Sequence, residues 1–150
     1  MKRADGFTLI EVVCVLAIVA LLVAIALPQM PRATTPARLA GYAVEVASLL
    51  KADRNAAIRN RALVSTSLSA ASRIVRSGDG RRIVQLPPDV AFDAILAQRC
   101  DGRAAGATID FLPSGMSCGG TIALAGAGAG FQIRVNWLTG GVDVVQLDKS

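Results

Sequence analysis

A charge-free apolar run from Val12 to Leu27 constrains this chain more than any other feature. It follows directly on Gly6-Phe7-Thr8-Leu9-Ile10-Glu11, which sits behind a short basic leader, Met1-Lys2-Arg3-Ala4-Asp5. A helix needs roughly 20 apolar residues to cross a bilayer core. Phe7 to Met30 meets that length, interrupted only by Thr8, Glu11 and Gln29, and no later run is long enough for a second span. Lys2 and Arg3 before the span keep the leader cytoplasmic and send the remainder outward. A secretory signal peptide cut near Ala24 and Ala26 is the competing reading. Its basic region would be very short, and it has no use for Glu11. That carboxylate is the anomaly: at a helix centre it would cost about 2.5 to 3.5 kcal/mol, less near an end, and a positive partner would offset it.

The chain has 150 residues, room for about one domain. Its hydrophobic fraction of 53% and mean hydropathy of +0.49 are high, and the excess is concentrated near the N-terminus. The net charge is +5. Arg54, Arg59, Arg61, Arg73, Arg76, Arg81 and Arg82 fall within one stretch. A solvated surface with local carboxylate partners accounts for them better than an anionic partner does, because no aromatic residues interleave as a single-strand binder requires. Cys14 lies in the apolar run and reads as a small buried hydrophobe. Cys100 and Cys118 fall in the outward part, where a disulfide can persist; it would close a loop worth about 3 kcal/mol in the chain-entropy model. Two unpaired buried thiols are the alternative.

Beyond the apolar run, Pro28, Pro31 and Pro36 predict a kink or break between Leu27 and Pro36. A helix then resumes. Leu39, Tyr42, Ala43, Val46, Leu49 and Leu50 recur at three- and four-residue steps, Ala57 extends the stripe, and the pattern ends near Asn60. From Ala62 the chain reads as about eight short strands separated by tight turns. Ala62 to Ser69 comes first. Ser72 to Arg76 and Arg81 to Leu86 flank the hairpin signal Ser77-Gly78-Asp79-Gly80. Asp89 to Ile95 alternates, with Val90, Phe92 and Ala94 on one side; Gln98 to Gly106 reads as a loop. Thr108 to Leu112 turns at Pro113-Ser114-Gly115, and Thr121 to Ala125 leads into Gly126-Ala127-Gly128-Ala129-Gly130. Phe131, Ile133, Val135 and Trp137 share one face of a strand ending at Leu138, and Thr139-Gly140-Gly141 turns it onto Val142 to Leu147. The expected class is α+β: a long N-terminal hydrophobic helix, kinked near the prolines, packed on an antiparallel β-sheet or sandwich.

Catalytic constellations are missing. There is no histidine, hence neither the commonest general base nor the commonest metal ligand. The cysteines lack zinc-like spacing, no serine sits in a Gly-x-Ser-x-Gly elbow, and the Gly126–Gly130 run lacks the Lys-Ser/Thr ending of a phosphate loop. Asp89 with Asp93, or Asp101 with Asp110, are better read as solvated than as paired catalytic carboxylates. No enzyme, metal or cofactor is expected.

At Gly6-Phe7-Thr8-Leu9-Ile10-Glu11-Val12 the sequence resembles the N-terminus of type IV pilins and type II secretion pseudopilins. The resemblance implies that prepilin peptidase cuts between Gly6 and Phe7 and methylates the new Phe7 amine. The apolar segment then stays as membrane anchor and assembly helix, with Glu11 meeting the Phe7 amine of a neighbouring subunit. Arg54-Asn55-Ala56-Ala57-Ile58, Phe111-Leu112-Pro113-Ser114-Gly115 and Leu138-Thr139-Gly140-Gly141-Val142 look like a GspH/FimT-type minor pseudopilin. The Cys100/Cys118 pair and the Pro31 to Pro36 patch are not features that family requires.

The expected organisation follows: residues 1–6 a prepilin leader, 7–30 a transmembrane and assembly helix, 31–60 its continuation into the periplasm, and 61–150 a β-rich periplasmic globular domain. The resemblance implies a non-enzymatic subunit of the type II secretion pseudopilus, acting at the tip or in initiation. It would be single-pass in the cell inner membrane, partnered by prepilin peptidase and other minor and major pseudopilins. The competing function is a minor pilin of a type IV pilus, in fibre priming, adhesion or DNA uptake, with DNA as a partner only in that case. A membrane-anchored periplasmic enzyme is a third class, disfavoured by the missing constellations.

Overall fold

The computed structural model describes residues 7–26 and 33–147, and the chain divides into two units, Met1–Arg32 and Ala33–Ser150. The first unit holds helix α1, Leu9–Ala26. Its side chains are apolar on every side apart from Glu11, which lies in the first turn, where a carboxylate suits the positive end of the helix dipole. Its 18 residues extend about 27 Å at the usual rise per residue, against about 30 Å for a bilayer core. No helix among the described residues is long and apolar enough to cross a membrane. The remainder of the expected span, Leu27 to Met30, lies outside them, as do the leader, Pro28 and Pro31.

The second unit begins with helix α2, Pro36–Asn60. The helix has its own start signal. The Thr35 hydroxyl accepts from the Arg38 amide at 3.3 Å, and Pro36 occupies a first-turn position where its missing amide costs nothing. It stops at Arg61, which takes a left-handed conformation and donates its amide back to the last turn. The predicted stripe is the buried face: Leu39, Ala43, Val46, Leu49, Leu50 and Ala57 are all buried, joined by Ala47 and Ala56, with Tyr42 half-buried.

Ten strands follow: β1 Val64–Ser69, β2 Ile74–Arg76, β3 Ile83–Gln85, β4 Ala91–Leu96, β5 Arg99–Cys100, β6 Arg103–Ala104, β7 Thr108–Phe111, β8 Gly120–Gly126, β9 Ala129–Val135 and β10 Val142–Leu147. They form two four-stranded sheets, β3-β2-β1-β7 and β10-β9-β8-β4, plus the small hairpin β5-β6. Every pairing is antiparallel. α2 packs on strands of both main sheets, so one core forms from three layers. Leu39, Leu49 and Leu50 meet Val75, Ile109 and Phe111 from one sheet and Ile122, Leu124 and Ile133 from the other. β8 and β9 alternate buried with less buried residues over part of their length, as half-buried strands do, whereas β7 buries Ile109, Asp110 and Phe111 in succession.

Several expectations need correction. Asp110, read as solvated, is buried within β7, and Cys14, read as buried, is exposed on α1. The loop expected at Gln98 to Gly106 contains the β5-β6 hairpin, because Asp101 and Gly102 adopt consecutive positive φ values of 49° and 77° and close a two-residue turn. Trp137 does not continue the buried face of β9; it is 63% exposed. The strand stops two residues earlier, at Val135, and the Asn136 side-chain carbonyl then accepts the amides of Leu138 and Thr139 at 2.9 and 3.0 Å and turns the chain. The glycine-rich run Gly126–Gly130 is the β8-β9 hairpin, turning on Ala127 and Gly128 with φ values of 51° and 77°.

Candidate functional site

The N-terminal motif is presented on a tight helix start. The Thr8 carbonyl accepts the amides of Glu11 and Val12 at 3.1 and 3.3 Å. Phe7, Glu11, Val12, Val15 and Leu16 border one shallow apolar depression, so Phe7 and Glu11 lie on the same side of the chain four residues apart. Phe7 is 84% exposed, and the Glu11 side chain is exposed too. Gly6 lies outside the described residues. An exposed ring, an exposed carboxylate and a helix with no polar face form a surface suited to other apolar helices. The carboxylate there can accept from an amine.

In the second unit, the three later segments that resemble GspH/FimT-type subunits converge on Arg54. Its Nε donates to the Gly115 carbonyl at 2.9 Å. A Cβ on Gly115, whose φ is 85°, would stand 3.0 Å from Ile58 Cδ1. One on Gly140, at φ 64°, would stand 2.7 Å from Arg54 Nε and would collide with the Gly115 carbonyl. Both glycines are therefore required twice, by backbone conformation and by close approach. Ser117 donates its amide to the Trp137 carbonyl at 3.0 Å, joining the same two loops. The end of α2, the β7-β8 loop and the β9-β10 turn form one locked corner.

Beside it is a residue that sequence reasoning missed. Asp53 is 1% exposed. One carboxylate oxygen accepts from the Thr66 hydroxyl at 2.6 Å and the Gly78 amide at 2.9 Å, and the other from the Ser77 hydroxyl. A buried carboxylate is tolerated when its oxygens are filled this way. It ties α2 to β1 and to the β2-β3 turn. Nothing local in the sequence marks it, since its partners come from other elements.

Cys100 and Cys118 are joined, with Cα atoms 5.5 Å apart, and anchor the β5-β6 hairpin to the segment before β8. Cys14 is unpaired and exposed on α1. The arginine stretch is dispersed: Arg54 turns inward to Gly115, and Arg82 reaches the Ser48 hydroxyl at 3.3 Å. Asp79 accepts the Arg81 amide at 2.9 Å; that bond, then the Ser77 hydroxyl, holds its carboxyl below the ordinary value of 3.8. No group of three or more metal-ligating side chains is found among the described residues.

Comparison with known proteins places both units. Residues 1–27 match the family model of the prokaryotic N-terminal methylation motif. No curated protein matches the chain by sequence. Two solved structures of the minor pseudopilin EpsH from the type II secretion system of Vibrio cholerae share the fold. Both are 12% identical; TM-scores are 0.54 and 0.56, with 69% and 72% of this chain covered and 93% of each EpsH chain. The type IV minor pilin FimU of Pseudomonas aeruginosa is 13% identical with TM-score 0.54, over 71% of this chain and 87% of FimU. The chain thus joins an N-terminal methylation motif to an α+β fold shared by minor pilins and pseudopilins. In fold it is similar to these minor pseudopilins and to this minor pilin.

Proposed function

We propose that this chain is a non-enzymatic minor pseudopilin, a structural subunit at the tip or in the initiation of the type II secretion pseudopilus, supporting export of folded proteins across the outer membrane. The observation that carries the reading is the pairing of Phe7 and Glu11 on an all-apolar helix with a domain of the EpsH fold. On this reading prepilin peptidase removes residues 1–6 and methylates Phe7. Residues 7–30 hold the chain in the inner membrane, and residues 31–150 stand in the periplasm, where the Cys100–Cys118 bond persists.

Docking follows from charge. Cleavage creates a cationic amine at Phe7, and a neighbour's amine offsets the cost of keeping Glu11 among apolar helices. Each subunit then offers one carboxylate and one amine, and a stack satisfies both. The partners are other minor and major pseudopilins.

The likeness to FimU supports a second reading, a minor pilin of a type IV pilus in fibre priming, adhesion or DNA uptake. Deleting the gene and assaying protein secretion beside twitching and DNA uptake separates the two. Loss of secretion with normal twitching is expected; the reverse pattern would establish the pilus reading. If DNA were the partner, binding would fall steeply with salt.

A further inference from the structure

Strand β10 is an edge of its sheet, and a groove of about 500 Å³ runs along its open side. Val44, Ala47, Ser48 and Lys51 of α2 border it on one side, Val144 of β10 and Arg82 on the others. The groove is an outward continuation of the core. Val144 lies opposite the buried Ile133, on the core face of the sheet, yet is 38% exposed; Val44 on α2 is 61% exposed.

The backbone of this edge is ready to pair. Asn136 donates its amide to the Gly141 carbonyl at 2.9 Å, which fixes the alternation of the β9-β10 ladder. Residues 143, 145 and 147 bond toward β9, and residues 142, 144 and 146 turn their amides and carbonyls to the open side. Six consecutive register pairs run without a bulge, and the strand holds no proline and no lysine. Proline, lysine and a bulge are among the usual devices that protect an edge, and this strand has none of the three; its one charge is Asp143.

We propose that β10 takes up one further strand, donated by an acidic partner polypeptide, that fills this groove against α2. The incoming backbone pairs with Val144 and Gln146, and alternate side chains drop onto Val44 and Ala47. Charge selects the partner. Lys51 and Arg82 stand at the rim, with Arg82 held by its bond to Ser48 at 3.3 Å. The one carboxylate at the rim, Asp143, lies opposite Arg134 on the outer face. A second copy of this chain, itself +5, would bring the same two cations against these. The inference is independent of the N-terminal motif.

The test uses the full chain in detergent and a fluorescein-labelled peptide of about eight residues, one strand length, alternating valine with glutamate. Binding is expected, about tenfold weaker for a valine–lysine peptide and lost for a valine–glutamate peptide interrupted by two prolines. Val144→Pro removes an open-side amide and no ladder bond, and is expected to weaken binding about tenfold. Lys51→Glu with Arg82→Glu is expected to reverse the preference between acidic and basic peptides, and does not depend on how the proline variant folds. No binding of the valine–glutamate peptide, equal binding of its proline-interrupted form, or binding unaffected by Val144→Pro in a folded variant would each overturn the proposal. So would a dimer of the chain that Val144→Pro dissolves, because a second copy would then occupy the edge.

Discussion

Glu11 and Asp53 are both carboxylates where a carboxylate is costly, and the chain resolves them differently. Asp53 finds its partners inside its own fold: two hydroxyls and an amide. Asp53→Ala leaves Thr66 and Gly78 with unfilled donors, while the Ser77 hydroxyl retains Asp79 as an acceptor, and is expected to lower stability by about 3 kcal/mol, read as a lower urea midpoint at unchanged slope. An unchanged midpoint would mean that the cluster adds nothing. Glu11 is exposed, and no hydrogen bond to its carboxylate occurs among the described residues; on the proposed function its partner is the amine of a neighbouring subunit. Glu11→Ala is expected to leave cleavage after Gly6 largely intact and to lower incorporation into the filament, followed by pull-down with sister subunits. Normal incorporation would contradict the docking role. The two also differ in legibility. Glu11 stands in a contiguous motif, readable at once. Asp53 is joined to residues 13, 24 and 25 positions away, and only the fold brings them to it.

Among the elements, α2 was readable because its period of 3.6 extends over many turns. Its start adds a pH dependence. Asp89, just before β4, accepts the Thr34 amide at 2.6 Å and hydroxyl at 3.0 Å, tying the entry of α2 to the sheet. The Thr34 amide above all holds the Asp89 carboxyl below the ordinary 3.8; burial opposes it, and the Thr34 hydroxyl adds less. A depressed value in the folded state means stability that is present above 3.8 and lost as pH falls through the folded value. The melting temperature of Asp89→Asn is therefore expected to fall less than that of the wild type between about pH 5 and about pH 2; parallel profiles would contradict the linkage. The short elements were harder to read. The β5-β6 hairpin is only two residues on each side, too short for any period, although its Asp101-Gly102 turn was a usable signal. Trp137 continued the alternation of β9 in sequence, but Asn136 captured two backbone amides and ended the strand first. Local hydrogen bonding overrode the pattern.

At the scale of the whole molecule, the two units answer different demands. The second builds a three-layer core whose corners are tied by Arg54, Asp53 and the Cys100–Cys118 bond. The first has no core of its own and exposes apolar side chains along its length. An exposed helix of that kind is stable only in lipid or against other helices. The proposed function supplies both, in the membrane before assembly and in the filament after it. The central claim is that the N-terminal motif is a processing and docking signal, with the apolar helix kept in the mature chain. Intact-mass analysis of the membrane-extracted protein tests it most directly. A mature chain that begins at N-methylated Phe7 and retains the apolar helix is expected. A chain that begins beyond Leu27, or one still carrying Met1 to Gly6 in cells with active prepilin peptidase, would contradict it.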